Sequence, residues 1–388
     1  MKVCIITPRY APNIQGGGEI SCSLLARELS NYVDVEVVSF DGNVTSVSEV
    51  DGVKVIRKKP IAPHELKTPV NLQAYHFLKK KINDYDIFHT YNHDLMPAVG
   101  LLTRFHKIKS VATLNGAVYS SSQGGWYYGY KNSLNPKVKL EGAFIISRNK
   151  LMLQAIRNIN VFTTLCPFYR EKFVEDGFPL EKIRVIPNML DRNFVPSEKE
   201  ESDSVRMLYI GNFRWRKGID ILISAYSMLE EQDVELTITG YSGYGMDKEK
   251  IENLINKVKP KNEVKLLDRV PYEKVPELYS KADIFIQSYR YPEPVGRTLL
   301  EALESGVCVI TTGNDYYSPI IKDMRDGVLI YPCTAEMLSE KMQMLIDNPD
   351  LRRKLANNGQ RRVREVCAPE RIIEQYLTIY KKLIAGSK

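Results

Sequence analysis

Two glutamates, Glu293 and Glu301, stand with seven residues between them in the segment YPEPVGRTLLEALESGVCVITT, Tyr291 to Thr312. Carboxylates can orient hydroxyl groups, hold developing positive charge or move a proton, and their surroundings decide which. Pro292, Pro294 and Gly296 keep the first part of the segment out of a helix, and the apolar run from Leu299 to Leu303 then starts one. Glu293 is therefore expected on a loop and Glu301 one turn into a helix. The backbone N–H groups of Val295, Gly296, Arg297 and Thr298 would lack intrahelical partners, and a helix start of this kind favours an anion. Thr298-Leu299-Leu300-Glu301 also reads as a T-x-x-E capping box, which needs no ligand. Cys308 to Thr311 follows as a buried strand.

Three cations, Arg214, Arg216 and Lys217, occupy the run Gly211-Asn212-Phe213-Arg214-Trp215-Arg216-Lys217-Gly218 between a strand and a helix. Cations beside a helix start can neutralise a phosphate group; a solvated basic turn is the plain alternative. Near the N-terminus, the strand-like VCIIT leads through a turn-rich loop to Gly16-Gly17-Gly18-Glu19 and a helix. Glycines there let backbone amides approach a phosphate, or simply make a flexible turn, and the G-x-G-x-x-G spacing of dinucleotide binders is missing. His89 and Asn115 end two further strand-like runs, DIFH and VATLNG, where ligands of parallel sheets collect. Asn115 can donate and accept hydrogen bonds but does not titrate near neutral pH. His89 or His93 offers a titratable substitute, or is structural. Asp84-Tyr85-Asp86 reads as the start of a strand, since no further carboxylate cluster supports a divalent cation.

The elements that position these residues alternate along the chain. Strands are expected at residues 3–7, 33–39, 53–57, 86–89, 110–114 and 161–165, and again at 205–210, 234–239, 263–267, 283–287, 307–311 and 328–331, with helical patterns between them. Such alternation predicts α/β architecture with two doubly wound parallel sheets. The proline-bearing VIPNMLDRNFVP and the charged run after it mark a boundary. The expected division is a first domain over 1–187, a linker over 188–204 and a second domain over 205–368. Residues 334–367 read as two helices broken near Asn348-Pro349, and a final amphipathic helix is expected over 369–388.

At 388 residues, 44% hydrophobic and 26% charged, the chain has the composition of a globular protein with room for two cores. The strand-like Met1 to Thr7 leaves no place for a signal peptide, and no run is long enough to span a membrane. A cytoplasmic protein is expected. Six scattered cysteines without a C-x-x-C pair read as reduced, packed thiols. Lys and Arg exceed Asp and Glu by 24 to 16 in residues 1–187, against 30 to 31 in the rest, so the net charge of +7 is all N-terminal. That field suits an anionic acceptor or a peripheral contact with an anionic membrane at the inner face. The aromatic run GWYYGYKN and the basic amphipathic pattern up to Arg157 suit either such a surface or packing on the sheet. No nucleic-acid-binding module or basic stripe is present.

The E-P-V-G-x-x-x-L-E-A-L-x-x-G pattern around Glu293 and Glu301 resembles the E-x7-E signature of retaining glycosyltransferases of family 4. The resemblance runs over nearly the whole chain. It implies the GT-B fold: two Rossmann-like, doubly wound domains facing a central cleft, with the terminal helix crossing back to the first. It further implies that Glu293 reaches the donor sugar, that Glu301 holds the ribose, and that the backbone of Val295, Gly296, Arg297 and Thr298 holds the diphosphate. Gly16 and Gly17 match the family's G-G-x-E loop. Lys217 and Gly218 match its G-R-L-x-x-x-K-G, with Asn212 in the place of the Arg, so Arg214 or Arg216 would supply that charge. Asn115 stands where many relatives carry a His against the donor sugar. The expected reaction moves a sugar from a nucleotide-sugar donor, UDP- or GDP-linked, to a hydroxyl of a glycan or lipid-linked acceptor, with no cofactor and no metal. A nucleotide-sugar binding protein with little turnover is the alternative, motivated by Asn115 and Asn212.

Overall fold

Strands buried on both faces read as continuous apolar runs, and such strands need helices over each side of their sheet. The chain forms two sheets of this kind in a computed structural model. The structure describes residues 1–14, 16–64, 66–115, 136–242, 247–291, 293, 295–315 and 318–386, with the side chains of 136–144, 241 and 242 set aside. The aromatic run at Trp126, Gly116, residues 243–246, Pro292 and Pro294 lie outside the described residues. The chain divides into two compact units, Met1–Met189 with the residues from Ile372 onward, and Leu190–Arg371.

The first unit runs β1 (Lys2–Thr7), α1 (Gly17–Ser30), β2 (Asp34–Ser39), β3 (Ser46–Val50), β4 (Val53–Arg57), α2 (Lys67–Lys79), β5 (Ile87–Tyr91), α3 (Met96–His106), β6 (Ser110–Leu114), α4 (Pro136–Ile156), β7 (Val161–Thr164), α5 (Pro167–Glu175) and β8 (Ile183–Val185). The strand order is β3-β4-β2-β1-β5-β6-β7-β8. All pairs are parallel except β3 with β4. β3 and β8 are absent from the sequence expectation: β3 is almost wholly exposed and carries no apolar run, and β8 is a three-residue edge. The order reverses direction between β1 and β5, so the loop into α1 opens at a switch point.

The second unit continues with β9 (Val205–Phe213), α6 (Ile219–Ser227), β10 (Val234–Ser242), α7 (Lys248–Val258), β11 (Glu263–Leu266), α8 (Val275–Ser280), β12 (Ile284–Gln287), α9 (Arg297–Glu304), β13 (Cys308–Thr312), β14 (Val328–Ile330), α10 (Ala335–Asp347) and α11 (Pro349–Val366). Its six strands are all parallel in the order β11-β10-β9-β12-β13-β14. Here the switch point falls between β9 and β12.

The last helix, α12 (Pro369–Ala385), buries Ile372, Ile373, Tyr376 and Tyr380 in the core of the first unit. His89 is part of that attachment. Its Nδ1 lies 2.6 Å from the Tyr380 hydroxyl and its Nε2 2.8 Å from Thr113 Oγ1. The ring is fully buried, and burial lowers its pKa to about 3. His89 is thus a neutral group locked inside the fold; the expectation that it faces a ligand fails because the terminal helix covers it.

The Asp84-Tyr85-Asp86 run is also structural. Asp84 pairs with Lys81, Asp86 accepts from the Lys2 amide, and Tyr85 donates to Glu36 at 2.6 Å. All six cysteines are free and buried. Among the described residues no helix is long and apolar enough to cross a membrane, and no group of three metal-ligating side chains occurs.

Candidate active site

In the second unit, β9 and β12 are neighbours and the loops after them are sewn together. Gly218 has φ +63°, and a Cβ on it would lie 1.8 Å from the Ser288 carbonyl oxygen. Only glycine meets both demands. Ser288 Oγ donates to the Gly218 carbonyl at 2.8 Å, and the Arg290 amide to the Arg216 carbonyl at 3.0 Å. This seam brings two distant stretches of sequence side by side: the cationic loop, which ends in a 3₁₀ turn over Trp215–Lys217, and the loop carrying Glu293.

Glu293 is held there by two cations. Lys217 Nζ lies 2.5 Å from its Oε2 and Arg216 Nε 3.2 Å from its Oε1. The Lys217 ammonium also sits 3.9 Å from the centre of the Tyr289 ring, a cation–π contact that fixes it from below. Lys217 and Glu293 are largely buried, whereas Arg216 is more than half exposed. Arg214 is exposed at the start of the 3₁₀ turn.

Gly296 is the N-cap residue of α9, with no side chain capping it. The capping-box alternative is therefore overturned, because a box would require Thr298 at that position. Thr298 lies inside the helix, and its hydroxyl accepts from Gln287 at 3.1 Å. Val295 and Arg297 are buried on either side of Gly296. A Cβ on Gly296 itself would meet nothing within 4 Å. A helix start with a glycine N-cap and two cations beside it forms an environment suited to a phosphate.

Glu301 has different surroundings. It is 3% exposed, and its two oxygens take the hydroxyls of Tyr272 at 3.3 Å and Tyr279 at 3.4 Å, with Arg297 Nε 3.7 Å away. Burial raises its pKa, opposed by Arg297 and by the two phenols. Tyr279 also donates to the Thr298 carbonyl at 2.8 Å, tying α8 to the first turn of α9. The two carboxylates are thus separated in role by their partners: one is clamped by two cations, the other fixed in a phenol-lined recess.

In the first unit, Gly16 is the N-cap and Gly17 the first residue of α1. The preceding loop is anchored by Asp41, which accepts from the Tyr10 amide at 3.0 Å and from Ser39 at 2.6 Å and pairs with Arg57 at 2.9 Å. Asn92, just after β5, has φ +66° and ψ 152°, a strained conformation for any residue but glycine. Its Oδ1 accepts from Asn115 Nδ2 at 3.0 Å and leaves no room for a side chain at Gly18, where a Cβ would approach it to 2.9 Å. The Asn115 Oδ1 is shielded from solvent and has no hydrogen-bond partner among the described residues, an arrangement that suits a ligand hydroxyl.

Sequence spacing could not supply Tyr272, Tyr279, Tyr289, Gln287, Ser288 or Asn92. Each is an ordinary strand, helix or turn residue in one dimension. Their one shared signal is position, since most follow or precede strands at the carboxyl edge of a sheet.

Comparison with known proteins adds to this geometry. The family profile "Glycosyl transferases group 1" matches residues 191–362, and the profile "Glycosyltransferase Family 4" matches residues 15–194. An uncharacterized glycosyltransferase of Methanocaldococcus jannaschii is 25% identical over 393 residues, covering 98% of each chain. Among solved structures, sucrose-phosphate synthase from Thermosynechococcus elongatus is similar with a TM-score of 0.79 at 19% identity, over 99% of both chains. HepE of Anabaena in complex with UDP-glucose is similar with a TM-score of 0.75 at 15% identity, over 98% of this chain and 100% of that one.

Proposed function

Since this chain belongs to the family 4 type of glycosyltransferases and has their GT-B fold, we propose that it is a retaining enzyme moving a sugar from a nucleoside diphosphate to an acceptor hydroxyl. The observation that carries the reading is the pairing of Glu293 with Lys217 and Arg216 at the start of α9. A diphosphate seated on the amides of Val295, Gly296, Arg297 and Thr298 would share those cations, with Arg214 adding charge from the adjacent turn. Glu293, drawn to the same spot, would be left beside the sugar that the diphosphate carries, where it can accept hydrogen bonds from hydroxyls.

In the reaction, the bond between C1 of the sugar and the diphosphate oxygen breaks and its electron pair stays on the diphosphate. Lys217, Arg216 and the helix start stabilise that charge, which is where preorganised donors act most strongly. The acceptor oxygen bonds to C1 on the face just vacated, and its proton goes to the departing diphosphate. No step needs a metal. Glu301, held by Tyr272 and Tyr279, would receive the ribose hydroxyls. In the first unit, the Gly16-Gly17 helix start would suit a phosphate and the Asn115 carbonyl oxygen a sugar hydroxyl.

A UDP-sugar is the donor to try first, supported by the HepE neighbour crystallised with UDP-glucose; a GDP-sugar is the other choice. The basic first half supports an acceptor that is anionic, in glycan or glycolipid assembly at the cytoplasmic face of a membrane. Glu293→Ala is the direct test. It should abolish transfer and donor hydrolysis while UDP or GDP affinity stays equal or rises, because a competitor for Lys217 is gone. Joint loss of both would contradict the assignment, and wild-type protein that binds nucleotide sugar without releasing nucleotide would favour a binding protein.

A further inference from the structure

Two large aromatic rings project into solvent beside the Glu293 cluster. Trp215 is 55% exposed and Tyr291 59%. Their centroids lie 6.4 Å apart with the planes inclined by 55°. The indole is held in place. The Arg290 guanidinium stacks 4.4 Å from the indole centre, donates through Nε to the Trp215 carbonyl at 3.1 Å, and pairs with Asp220 in the first turn of α6. The neighbour of Trp215, Arg216, is the residue whose guanidinium reaches Glu293. The indole is therefore fixed to the same seam that fixes the carboxylate, with Tyr291 beside it, and both rings remain uncovered.

Two exposed aromatics side by side, one of them stacked on an arginine, mark a surface meant to meet something. The chemistry of the partner follows from three features. The rings are inclined, so a flat heterocycle lying on one would leave the other unused. A pyranose chair presents C–H bonds to both, and those bonds carry slight positive charge toward the electron-rich ring faces. Finally, Arg290 supplies N–H groups at the edge for the hydroxyls that a sugar carries around its rim.

We propose that Trp215 and Tyr291 form a saccharide platform, a subsite on the second unit that holds a pyranose ring of the acceptor glycan next to Glu293. The proposal rests on Glu293 lying at the transfer site. It makes the acceptor a glycan of at least one sugar residue, not a bare lipid alcohol or a protein hydroxyl.

The chain has two tryptophans, Trp126 and Trp215. In a Trp126→Phe background, Trp215 is the sole indole and reports on its own surface. The protein is titrated with maltose, a mannobiose, lactose and chitobiose in the presence of UDP, and separately with vesicles of anionic phospholipid. At least one saccharide should give a saturable change in indole emission. Adding Tyr291→Ala should weaken that binding about tenfold, roughly 1.4 kcal/mol, while UDP still raises the melting temperature by the same amount. No saturable response to any of the four saccharides, a response that Tyr291→Ala leaves unchanged, or a response to vesicles alone would each overturn the platform. Saccharide binding with no transfer from UDP- or GDP-sugars would instead leave the platform standing and remove the proposed reaction. Transfer to a glycan with an acceptor KM unchanged by Trp215→Ala would do the reverse.

Discussion

The ammonium of Lys217 rests 2.5 Å from Glu293 Oε2 and 3.9 Å from the centre of the Tyr289 ring, so a single cation is shared by a carboxylate and an aromatic face. The contact joins residues 76 positions apart. It couples what a diphosphate would need to what a sugar would need, since moving the ammonium toward one alters the other.

Lys217→Met keeps most of the stem over Tyr289 and removes the charge. Transfer should fall by on the order of a hundredfold or more, as when one donor to a developing anion is lost. Nucleoside diphosphate affinity should fall with it. Steady-state kinetics and UDP titrations of the same preparation check both, and retained UDP affinity would show that Lys217 serves only Glu293.

Gly218 and Gly296 should respond oppositely to alanine. Gly218→Ala forces a side chain into the Ser288 carbonyl at φ +63° and should cost about 3 kcal/mol or more, read as a drop in the denaturant midpoint. Gly296→Ala adds a methyl where the protein has space, so stability should change little. Its effect should appear in donor affinity, because the methyl occupies the approach to the first-turn amides. A Gly296→Ala protein as unstable as Gly218→Ala would sink this distinction.

Glu301→Gln tests a carboxyl whose pKa is raised by burial. A raised folded-state value means that folding disfavours the ionised form, so stability from this group is present below the unfolded pKa and is lost as pH rises through the folded one. The glutamine variant lacks that loss. Its stability relative to the parent should therefore improve from pH 5 to pH 8, in urea titrations of the full chain. Donor affinity should nevertheless drop about tenfold, the scale of a lost hydrogen bond to a charged group.

His89 has the opposite sign. Its folded-state pKa is lowered to about 3, so between that value and its unfolded one near 6.5 the unfolded chain binds the extra proton. Stability should fall as pH drops through this window, by about 1.4 kcal/mol per unit once well below 6.5. His89→Gln should be less stable at pH 7, having lost the ring between Tyr380 and Thr113, but should lack this slope. An equal slope in both proteins would assign it to other groups.

The sheets were legible because parallel strands buried on both faces are written as apolar runs; twelve expected strands stand where strands are found, with only the edge strand β11 lacking a buried residue among them. β3 was not, since an exposed edge strand imposes no apolar pattern. Glycines and the break at Pro349 were equally readable, because each restricts the backbone locally. The capping box misled for the same local reason: the four-residue pattern is present, but the helix starts two residues earlier, at Arg297 after Gly296.

By itself, then, the sequence determined the α/β alternation, the glutamate spacing, the cationic loop and the glycine-led helix starts, all of which depend on residues near one another in the chain. Only the tertiary structure decided that Lys217 and Arg216 hold Glu293, that Tyr272 and Tyr279 hold Glu301, and that His89 is sealed under Tyr380. Those partners lie from 22 to 291 positions away. They meet because sheet order, not chain order, sets which loops are neighbours, and β9 lies beside β12 as β1 lies beside β5.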